Sequence, residues 1–492
     1  MSLEYCKSLK LYSDVLNMFR FYPSNDRVEM QKRLNISGTT FYKAIDDLTK
    51  KNLLIQATPA SKGKNETSYK LASSLFYMLG ISIGASLCKI VFVGTDFKRM
   101  AQKDFASHKA ELIKRIKPIL EIDSGQVKEL LECEKSSDRN YIFFATPKSF
   151  RSLKQVINVV FDYCREQINS GSLRIFSIGI SSTGIIDRDA KKIVRSHNLP
   201  YLDGIKIDGL VAPTNRDFFI ENEINVSLVQ NSDASVIAEI IELYLVNSPF
   251  KGKRNIASIY LGYGVGSGLY LDGKMFFGCH GFTGETGRLT APTFVEECAY
   301  PLVKEYDNKE GSADQRIEKE SQNNETSAAL YEEKVSIGAD VLSTWDNENH
   351  CPLFSSDIMS YDEKIRKYVF QKVPESGFKE MSSTAIYEFL YKNKKNAALL
   401  GKYFGGIVNT ITNLLNVEMI IFTGKIYKSF DLIADDISQE QGNRGVKLGR
   451  TGRDDCALVK STLGSLSPAV GAAIYSYHEK CDIPLSWNYP DQ

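Results

Sequence analysis

Residues 255–287 read NIASIYLGYGVGSGLYLDGKMFFGCHGFTGETG, in which short apolar runs alternate with glycines. This pattern predicts a strand, a glycine turn, a second strand, a turn at Asp272-Gly273 and a third strand, since Asp-Gly favours two-residue hairpin turns. Glycines also allow a backbone to approach phosphate closely, although such a run alone is more typical of a simple turn. Four glycines alternate in the first turn: Gly262, Gly264, Gly266 and Gly268.

Other segments have the same strand-and-turn character. Residues 81–105 predict two strands joined by a turn at Gly84-Ala85-Ser86, with a third strand after Asp96. Residues 173–187, LRIFSIGISSTGIID, predict a buried strand followed by a Ser/Thr/Gly loop, whereas residues 108–170 are predicted to be mostly helical. Strands that alternate with helices in this way indicate an α/β fold.

The first 75 residues have a different, helical pattern. Residues 9–20 predict one amphipathic helix, and residues 27–54 predict two more, separated by a break at residues 35–38. Ser37 is placed to cap the helix that begins near Thr39. Two short helices joined by a tight turn are typical of a helix-turn-helix, and predicted strands at 53–56 and 68–71 would form its wing. The sequence therefore predicts a winged helix-turn-helix.

The exposed side chains of the predicted recognition helix can contact base edges and phosphates. This N-terminal segment holds 12 Lys and Arg against 7 Asp and Glu, a surplus that favours DNA. The alternative is a small helical packing module with a solvated basic face, because helix-turn-helix geometry also occurs in proteins that bind no DNA. The predicted DNA contacts are Thr39, Thr40, Tyr42 and Lys43 in the helix, and Lys62 and Lys64 in the wing.

Composition excludes several classes of protein. No run of eighteen apolar residues and no secretory signal is present, so a cytoplasmic protein without a membrane span is predicted. The nine Cys include no C-x-x-C pair and are interpreted as reduced thiols. The adjacent pairs Cys279-His280 and His350-Cys351 lack the spacing of zinc ligands, so no metal site is predicted.

The order of these segments resembles the ROK family of repressors and sugar kinases, from Ser8 to about Glu479. The resemblance is to the repressor branch, and it implies a winged helix-turn-helix followed by a two-lobed actin-like, sugar-kinase (ribonuclease H-like) ATPase-type domain. The implied domains are residues 1–75 for DNA binding, 76–205 for the first lobe and 206–492 for the second. The second lobe includes an atypical insertion at about 303–380 and a C-terminal helix that returns to the first lobe. The matching stretches are ISIGASLCKI, GISSTGIID, SHNLPYLDG, IENEIN, residues 261–287 and LLNVEMIIFTGKI.

The sequence also departs from the kinases of this family. Ser82 stands where they carry the Asp that serves the metal-phosphate end, and Glu223 stands where they carry the catalytic Asp of an Asn-Asp pair. A hard cation needs carboxylate or phosphate oxygens, so Ser82 weakens the metal site. A longer side chain also displaces the base by about 1 Å, which can cost roughly a hundredfold in rate. Arg288 and the single Cys298 replace the zinc ligands of the family, so no structural zinc is predicted.

The resemblance implies that some ligand chemistry is kept. Amide and carboxylate groups recognise the hydroxyls of a sugar ring, and an arginine would suit a sugar phosphate or an acidic sugar. Arg288 could equally pair with Glu285 or Glu223 and close the cavity. The implied sugar-binding residues are Asn198, Asn222, Glu223, Glu285 and Arg288. The implied phosphate loops, which are interpreted as vestigial, contain Gly84, Ser86, Gly264, Gly266 and Gly424.

Three hypotheses follow. The first is a sugar-responsive transcriptional regulator, most simply a repressor, that uses no cofactor and binds operator DNA and a carbohydrate or sugar-phosphate effector as a homodimer or dimer of dimers. The second is an ATP-dependent sugar kinase with Glu223 as the base. The third is a constitutive DNA-binding scaffold whose sugar pocket is inactive. The degraded catalytic positions favour the first.

Overall fold

A computed structural model of the 492-residue chain describes its fold. Contacts divide the chain into two compact units, and the segment 256–282 is divided between them. The first unit contains residues 1–255, 268–282 and 466–492, and the second contains residues 256–267 and 283–465. The described residues are 3–21, 27–51, 53–57, 68–71, 76–124, 128–136, 139–246, 248–288, 383–392, 394–444, 456–482, 485 and 487.

The N-terminal part of the first unit is a winged helix-turn-helix. Its recognition helix buries Phe41, Ala44, Ile45 and Leu48, the face that the helical spacing of the sequence predicts. The Ser37 side chain caps this helix by accepting a hydrogen bond of 3.2 Å from the Thr40 amide. The elements are α1 (Leu3–Phe21), α2 (Arg27–Leu34), α3 (Gly38–Lys50) and the wing strands β1 (Leu54–Ala57) and β2 (Ser68–Leu71), which pair antiparallel.

A five-stranded mixed sheet forms the centre of the first unit. Its order is β5-β4-β3-β6-β9; β3, β6 and β9 are parallel, and β4 is antiparallel to β3 and β5. The strands are β3 (Tyr77–Ile83), β4 (Leu87–Gly94), β5 (Ile142–Ala145), β6 (Ile175–Ser182) and β9 (Asn225–Gln230). The parallel strands therefore all end at one edge, where Ile83 pairs with Ser182 and Ser182 pairs with Gln230.

Helices and short strands complete the first unit. Helices α4 to α6 contribute to a large apolar core against one face of the sheet, which carries Leu79, Ile81 and Ile178. The helices are α4 (Gln102–Ser124), α5 (Lys128–Lys135), α6 (Phe150–Asn169), α7 (Ile207–Leu210), α8 (Pro213–Glu221), α9 (Asn231–Leu245) and α13 (Ser467–Cys481). The strands are β7 (Ile185–Asp187), β8 (Lys192–Arg195), β11 (Val265–Leu271) and β12 (Lys274–Met275); β11 begins in the second unit.

The opposite face of the sheet carries glycine and serine, which let α13 lie directly on the strands. A Cβ atom at Gly80 would lie 2.0 Å from the Ala469 carbonyl oxygen, and one at Gly179 would lie 1.8 Å from that of Ala472. The other side of α13 is equally close to α9, because a Cβ at Gly471 would lie 1.7 Å from the Ala234 oxygen. Backbone-to-backbone packing of this kind admits only glycine.

The second unit contains a parallel arrangement of strands with two helices packed together. Strand β13 pairs in parallel with both β10 and β14, and Gly401 and Gly405 of α11 lie against Asp436 and Glu440 of α12. The elements are β10 (Ile256–Leu261), α10 (Ser383–Lys392), α11 (Lys394–Leu415), β13 (Met419–Gly424), α12 (Phe430–Arg444) and β14 (Ala457–Lys460). The predicted insertion at 303–380 lies outside the described residues.

One local prediction is wrong. No strand follows Asp96: its side chain accepts a hydrogen bond from the Lys98 amide in a turn, Arg99 forms an isolated bridge with Val93, and α4 begins at Gln102. Residues 108–170 are mostly helical, as predicted, and they also contain β5, a strand of four apolar residues that are all buried. Such a short apolar run has no periodicity that distinguishes a strand from a helix, so its pairing with β4 decides its structure.

None of the helices within the described ranges combines the length and apolarity needed to cross a membrane.

Candidate functional site

The exposed face of α3 carries the predicted DNA contacts that the structure describes. Thr39, Thr40, Tyr42 and Lys43 are all exposed, on the side opposite the buried face of the helix. The side chain of Lys50 is paired with Asp46 at 2.6 Å, so its charge is already partly compensated. Lys62 and Lys64 lie outside the described residues. Base and phosphate contact by these six residues remains a prediction.

Helix α1 joins the winged helix-turn-helix to the α/β part of the same unit. Arg20 is 9% exposed and donates hydrogen bonds to the Thr95 carbonyl oxygen at 3.0 Å and to Asn17 Oδ1 at 2.8 Å. Its guanidinium lies 3.9 Å from the ring centre of Phe97 and 4.7 Å from that of Tyr477 in α13. The recognition helix is held to α1 in turn, because Tyr12 donates a 2.7 Å hydrogen bond to Asp47.

Polar side chains gather where the parallel strands of the first unit end. Ser82 Oγ lies 3.4 Å from Asn231 Oδ1, and Asn231 Nδ2 donates to the Ile83 carbonyl oxygen at 3.1 Å. Asn231 is the first residue of α9, directly after β9. Sequence reasoning missed Asn231, although the polar run Gln230-Asn231-Ser232-Asp233 at a strand-to-helix junction was a usable signal, since ligands bind outside the carboxyl ends of such strands.

Asn198 belongs to the same edge of the sheet. Its Nδ2 donates to Thr183 Oγ1 at 3.3 Å, and the Thr183 amide donates to the Ile83 carbonyl oxygen at 3.2 Å. Its Oδ1 is buried and accepts no hydrogen bond from any of the described residues. A buried acceptor left without a donor is costly, so this oxygen is suited to a ligand hydroxyl.

Asn222 and Glu223 lie at the other end of β9. Both are exposed; Asn222 follows α8, and Glu223 precedes the strand with φ of 54°. The six residues of β9 separate them from Asn231, a distance of roughly 20 Å along a strand. The structure therefore does not bring these two residues together with Asn198 and Ser82, and their sugar-binding role remains a prediction.

The remaining predicted sugar-binding residues, Glu285 and Arg288, lie in the second unit. Glu285 is partly buried and precedes a short helical turn at Thr286–Arg288. Ser267 at the start of β11 holds this loop, with its amide donating to the Gly284 carbonyl oxygen at 2.7 Å and its hydroxyl 2.7 Å from that of Thr286. The side chain of Arg288 lies outside the described part of the structure, so its predicted cationic contact is untested.

Gly84 and Gly264 of the predicted phosphate loops lie in tight turns, whereas Gly266 and Gly424 lie in strands. The Gly84 amide donates to the Leu87 carbonyl oxygen at 3.1 Å, and Thr146 holds the same loop by donating to the Gly84 oxygen at 2.6 Å and to the Ser86 oxygen at 3.0 Å. In the second unit, the Gly264 carbonyl oxygen accepts from the Gly262 amide, and Gly266 lies in β11.

Gly424 ends β13 with φ of 77°, where a Cβ atom would lie 2.2 Å from the Leu261 oxygen. Strand packing therefore already requires glycine at this position, independently of any nucleotide.

Metal ligands do not cluster in the part of the chain that the structure describes, since no group of three or more His, Cys, Asp or Glu side chains is close enough to hold an ion. The Cys279 and His280 positions are described, and the His280 ring stacks on Phe282 with ring centres 5.9 Å apart. Cys298, His350 and Cys351 are among the residues left undescribed.

Comparison with known proteins identifies the α/β part. Residues 144–304 match the ROK family, a span that contains β6 to β12 and most of the polar strand ends described above. Residues 144–304 therefore carry a ROK family domain. This ROK domain includes Asn198 and Asn231, whereas α13 and the winged helix-turn-helix lie outside the matched residues.

Individual relatives of the ROK domain include a regulator and kinases. A crystal structure of a ROK family transcriptional regulator, described as a homologue of the E. coli MLC protein, has a TM-score of 0.60 and 12% identity and covers 96% of this chain and 98% of its own. A glucokinase of Halalkalibacterium halodurans is 21% identical over 272 residues, which is 54% of this chain and 66% of that enzyme, just under two thirds of its length. The crystal structure of a ROK family glucokinase from Streptomyces griseus has 13% identity and a TM-score of 0.42, and covers 82% of this chain and 99% of its own.

Proposed function

We propose that this chain is a sugar-responsive transcriptional regulator that binds operator DNA through α3 and the wing. It binds a sugar or sugar derivative through its ROK domain and does not transfer phosphate. As a homodimer or dimer of dimers it would place two recognition helices on a palindromic operator, with half-sites about one helical turn apart or a multiple of it. Repression is the simplest mode of action.

The observation that carries this proposal is the pairing of Ser82 with Asn231. A phosphotransferase needs a carboxylate to take a proton from the sugar hydroxyl and acidic ligands for magnesium. At the ends of β3 and β9 this chain instead has a hydroxyl and an amide, 3.4 Å apart and joined to each other. An amide does not accept a proton at neutral pH, and neither group carries the negative charge that a hard cation requires.

The DNA-binding side is supported by the exposure of one face of α3. Ser37, Thr39, Thr40, Tyr42 and Lys43 are all exposed, while the apolar residues of the same helix are buried. Hydroxyl, aromatic and ammonium groups of this kind contact both bases and phosphates. The overall similarity to the fold of a ROK family regulator extends across this domain.

The carbohydrate side is supported by Asn198. Its buried, unsatisfied Oδ1 lies at the edge of the sheet where the Ser/Thr/Gly loop after β6 begins. The named relatives include glucokinases, whose substrate is a sugar. A donor hydroxyl of a bound sugar would satisfy this amide oxygen, so Asn198→Ala should weaken sugar binding.

The double variant Tyr42→Ala, Lys43→Ala should weaken binding to the upstream region of its own gene by about 10- to 100-fold, because base contacts contribute roughly 1–3 kcal/mol each. Fluorescence anisotropy with labelled duplex at fixed salt measures this change. Removal of the phosphate contact should also reduce the slope of log affinity against log salt by about one.

The matched control is Lys114→Ala, which removes a lysine with an 80% exposed side chain from α4 of the α/β part. It should leave the affinity unchanged within twofold. Absence of sequence-selective binding by the wild-type chain, with and without a panel of sugars, would exclude the regulator. Equal weakening by both variants would show that only net charge matters.

The alternative, an ATP-dependent sugar kinase with Glu223 as base, is favoured by the sequence similarity to a glucokinase. A coupled assay with ATP, magnesium, hexoses and amino sugars distinguishes the two functions. We expect no turnover above that of the buffer blank. Turnover that Glu223→Gln abolishes would establish the kinase, and turnover that survives this change would place the base elsewhere.

A further inference from the structure

A buried lysine in the first unit has no counter-charge. Lys89 lies in β4 and is 6% exposed. Within the described residues, its ammonium makes no hydrogen bond and no ion pair. Burial lowers the pKa of Lys89 to about 8, so the side chain remains mostly protonated at neutral pH. A buried charge without a partner is unfavourable, and proteins generally bury lysine only when it is paired.

The register of the sheet places Lys89 beside the polar strand ends. Lys89 pairs with Ser82 on β3, and Ser82 pairs with Ser181 on β6. Side chains of directly paired residues lie on the same face of a sheet, with Cβ atoms about 5 Å apart on antiparallel neighbours. Lys89, Ser82 and Ser181 therefore form one row across three strands, on the face that α13 covers farther along the same strands.

Buried hydroxyl groups around this row can donate hydrogen bonds to a ligand. The Ser181 hydroxyl is buried and has no hydrogen-bond partner in the described part of the chain, and the same holds for the Ser232 hydroxyl in the first turn of α9. Ser82 reaches that helix through Asn231. Helix α9 is fifteen residues long and begins at Asn231. The first amides of a helix favour negative charge.

We propose that Lys89, Ser181 and the start of α9 form an anion-binding site that takes the phosphate or carboxylate group of a carbohydrate ligand without a metal ion. A lysine ammonium pairs with an oxyanion as a point charge, and the serine hydroxyls donate to its oxygens. The one acidic side chain in the first turn of α9 is Asp233, which interacts electrostatically with Tyr475 of α13. The proposal rests on the carbohydrate-binding part of the proposed function and is independent of DNA binding.

The charge of Lys89 distinguishes this ligand class from a neutral sugar. A neutral hexose would satisfy Asn198 and the serines but would leave the ammonium unpaired. An anionic sugar would satisfy these polar groups and would also pair with the ammonium. The wild-type chain should therefore bind a hexose phosphate or a sugar acid at least tenfold more tightly than the parent hexose.

The test measures thermal unfolding and titration calorimetry on the full chain, without DNA. The probes are inorganic phosphate, glucose 6-phosphate, gluconate and glucose, and sodium chloride at matched ionic strength serves as the control salt. At least one of the three anions should raise the melting temperature of the wild type more than sodium chloride does. Comparison of phosphate and glucose 6-phosphate with gluconate shows whether the site binds a phosphate group or a carboxylate.

Lys89→Met keeps the apolar stem of the side chain and removes its charge. This variant should lose at least tenfold in affinity for the stabilising anion, while its own melting temperature without anion equals or exceeds that of the wild type. The matched control is Lys109→Met in α4: Lys109 is also buried, at 8% exposure, but its ammonium donates to the Ser136 carbonyl oxygen at 2.6 Å. This control should be destabilised and should keep the anion response.

A second variant, Ser181→Ala, keeps the test decisive if Lys89→Met fails to fold. It removes an unsatisfied hydroxyl, so it should fold as stably as the wild type and bind the anion several-fold more weakly. Full anion binding by Lys89→Met, or by Ser181→Ala where Lys89→Met does not fold, would overturn the proposal. So would a wild type that none of the anions stabilises. These outcomes leave operator binding untouched, so failure here is distinguishable from failure of the regulator.

Discussion

Gly471→Ala should destabilise the first unit by at least about 3 kcal/mol, although alanine is favoured over glycine in a helix by roughly 1 kcal/mol. The reason is distance: the new methyl group would lie 1.7 Å from the Ala234 oxygen and 2.5 Å from its carbonyl carbon. Neither atom belongs to a flexible side chain, so α13 and α9 would have to move apart. The measurement is thermal unfolding, in which we expect the melting temperature to fall by about 6–12 °C.

Gly209→Ala is the matched control for this prediction. It makes the same substitution in helix α7, where the nearest atom to the added methyl would be Ile205 Cγ2 at 3.5 Å, an ordinary contact. This variant should be neutral or slightly stabilised, because only the helix preference remains. A Gly471→Ala protein as stable as Gly209→Ala would contradict the close packing of α13 on α9.

Arg20→Ala should release α1 from the α/β part of the first unit. The substitution removes the hydrogen bond to the Thr95 oxygen and the stacking on Phe97 and Tyr477, contributions that amount to roughly 3 kcal/mol. It also removes the bond to Asn17, which lies within α1 itself. Amide hydrogen exchange measures the change: the amides of the last turns of α1 should exchange about a hundredfold faster. The buried face of α3 should keep its protection, because Phe41, Ile45 and Leu48 pack within the winged helix-turn-helix.

Arg33→Ala provides the comparison within the same domain. Arg33 forms a partly exposed ion pair with Glu29 one turn away, at 2.7 Å, and such surface pairs contribute less than about 1 kcal/mol. Its removal should change exchange in α1 by less than about fivefold. Equal exchange in α1 of the Arg20→Ala and wild-type proteins would show that other contacts, such as the 4.9 Å ring contact of Phe21 with Tyr244, are sufficient to hold the helix.

The sequence of a single segment was enough to predict those helices, strands and turns whose structure depends on that segment alone. The buried spacing of α3, its Ser37 cap and the two wing strands follow from residues within one segment. The Asp272-Gly273 turn is a further example, since both residues have positive φ, 49° and 73°, as a two-residue hairpin turn requires. Strand β5 was missed because its assignment depends on β4, some fifty residues earlier.

The candidate site was only partly predictable, because strand direction decides which loops meet. The Asn-Glu sequence at 222–223 fits the expected motif, yet it lies before β9, whereas the residues that meet Ser82 lie after it. Sequence similarity alone could not distinguish Asn222-Glu223 from the polar residues that begin nine positions later at Asn231. Lys89 was equally inconspicuous, since one lysine in an apolar strand becomes informative only when its burial and lack of a partner are known.

The glycines and serines beneath α13 have a consequence for the synthesis of this protein. The first unit begins with α1, but the helix that covers one face of its sheet follows the whole second unit in the chain. During translation, the strands of the first unit emerge long before their cover does. Until residues 467–481 leave the ribosome, Gly80, Gly179 and Ser177 lack their cover, so the first unit cannot complete its packing before the second unit has been synthesised.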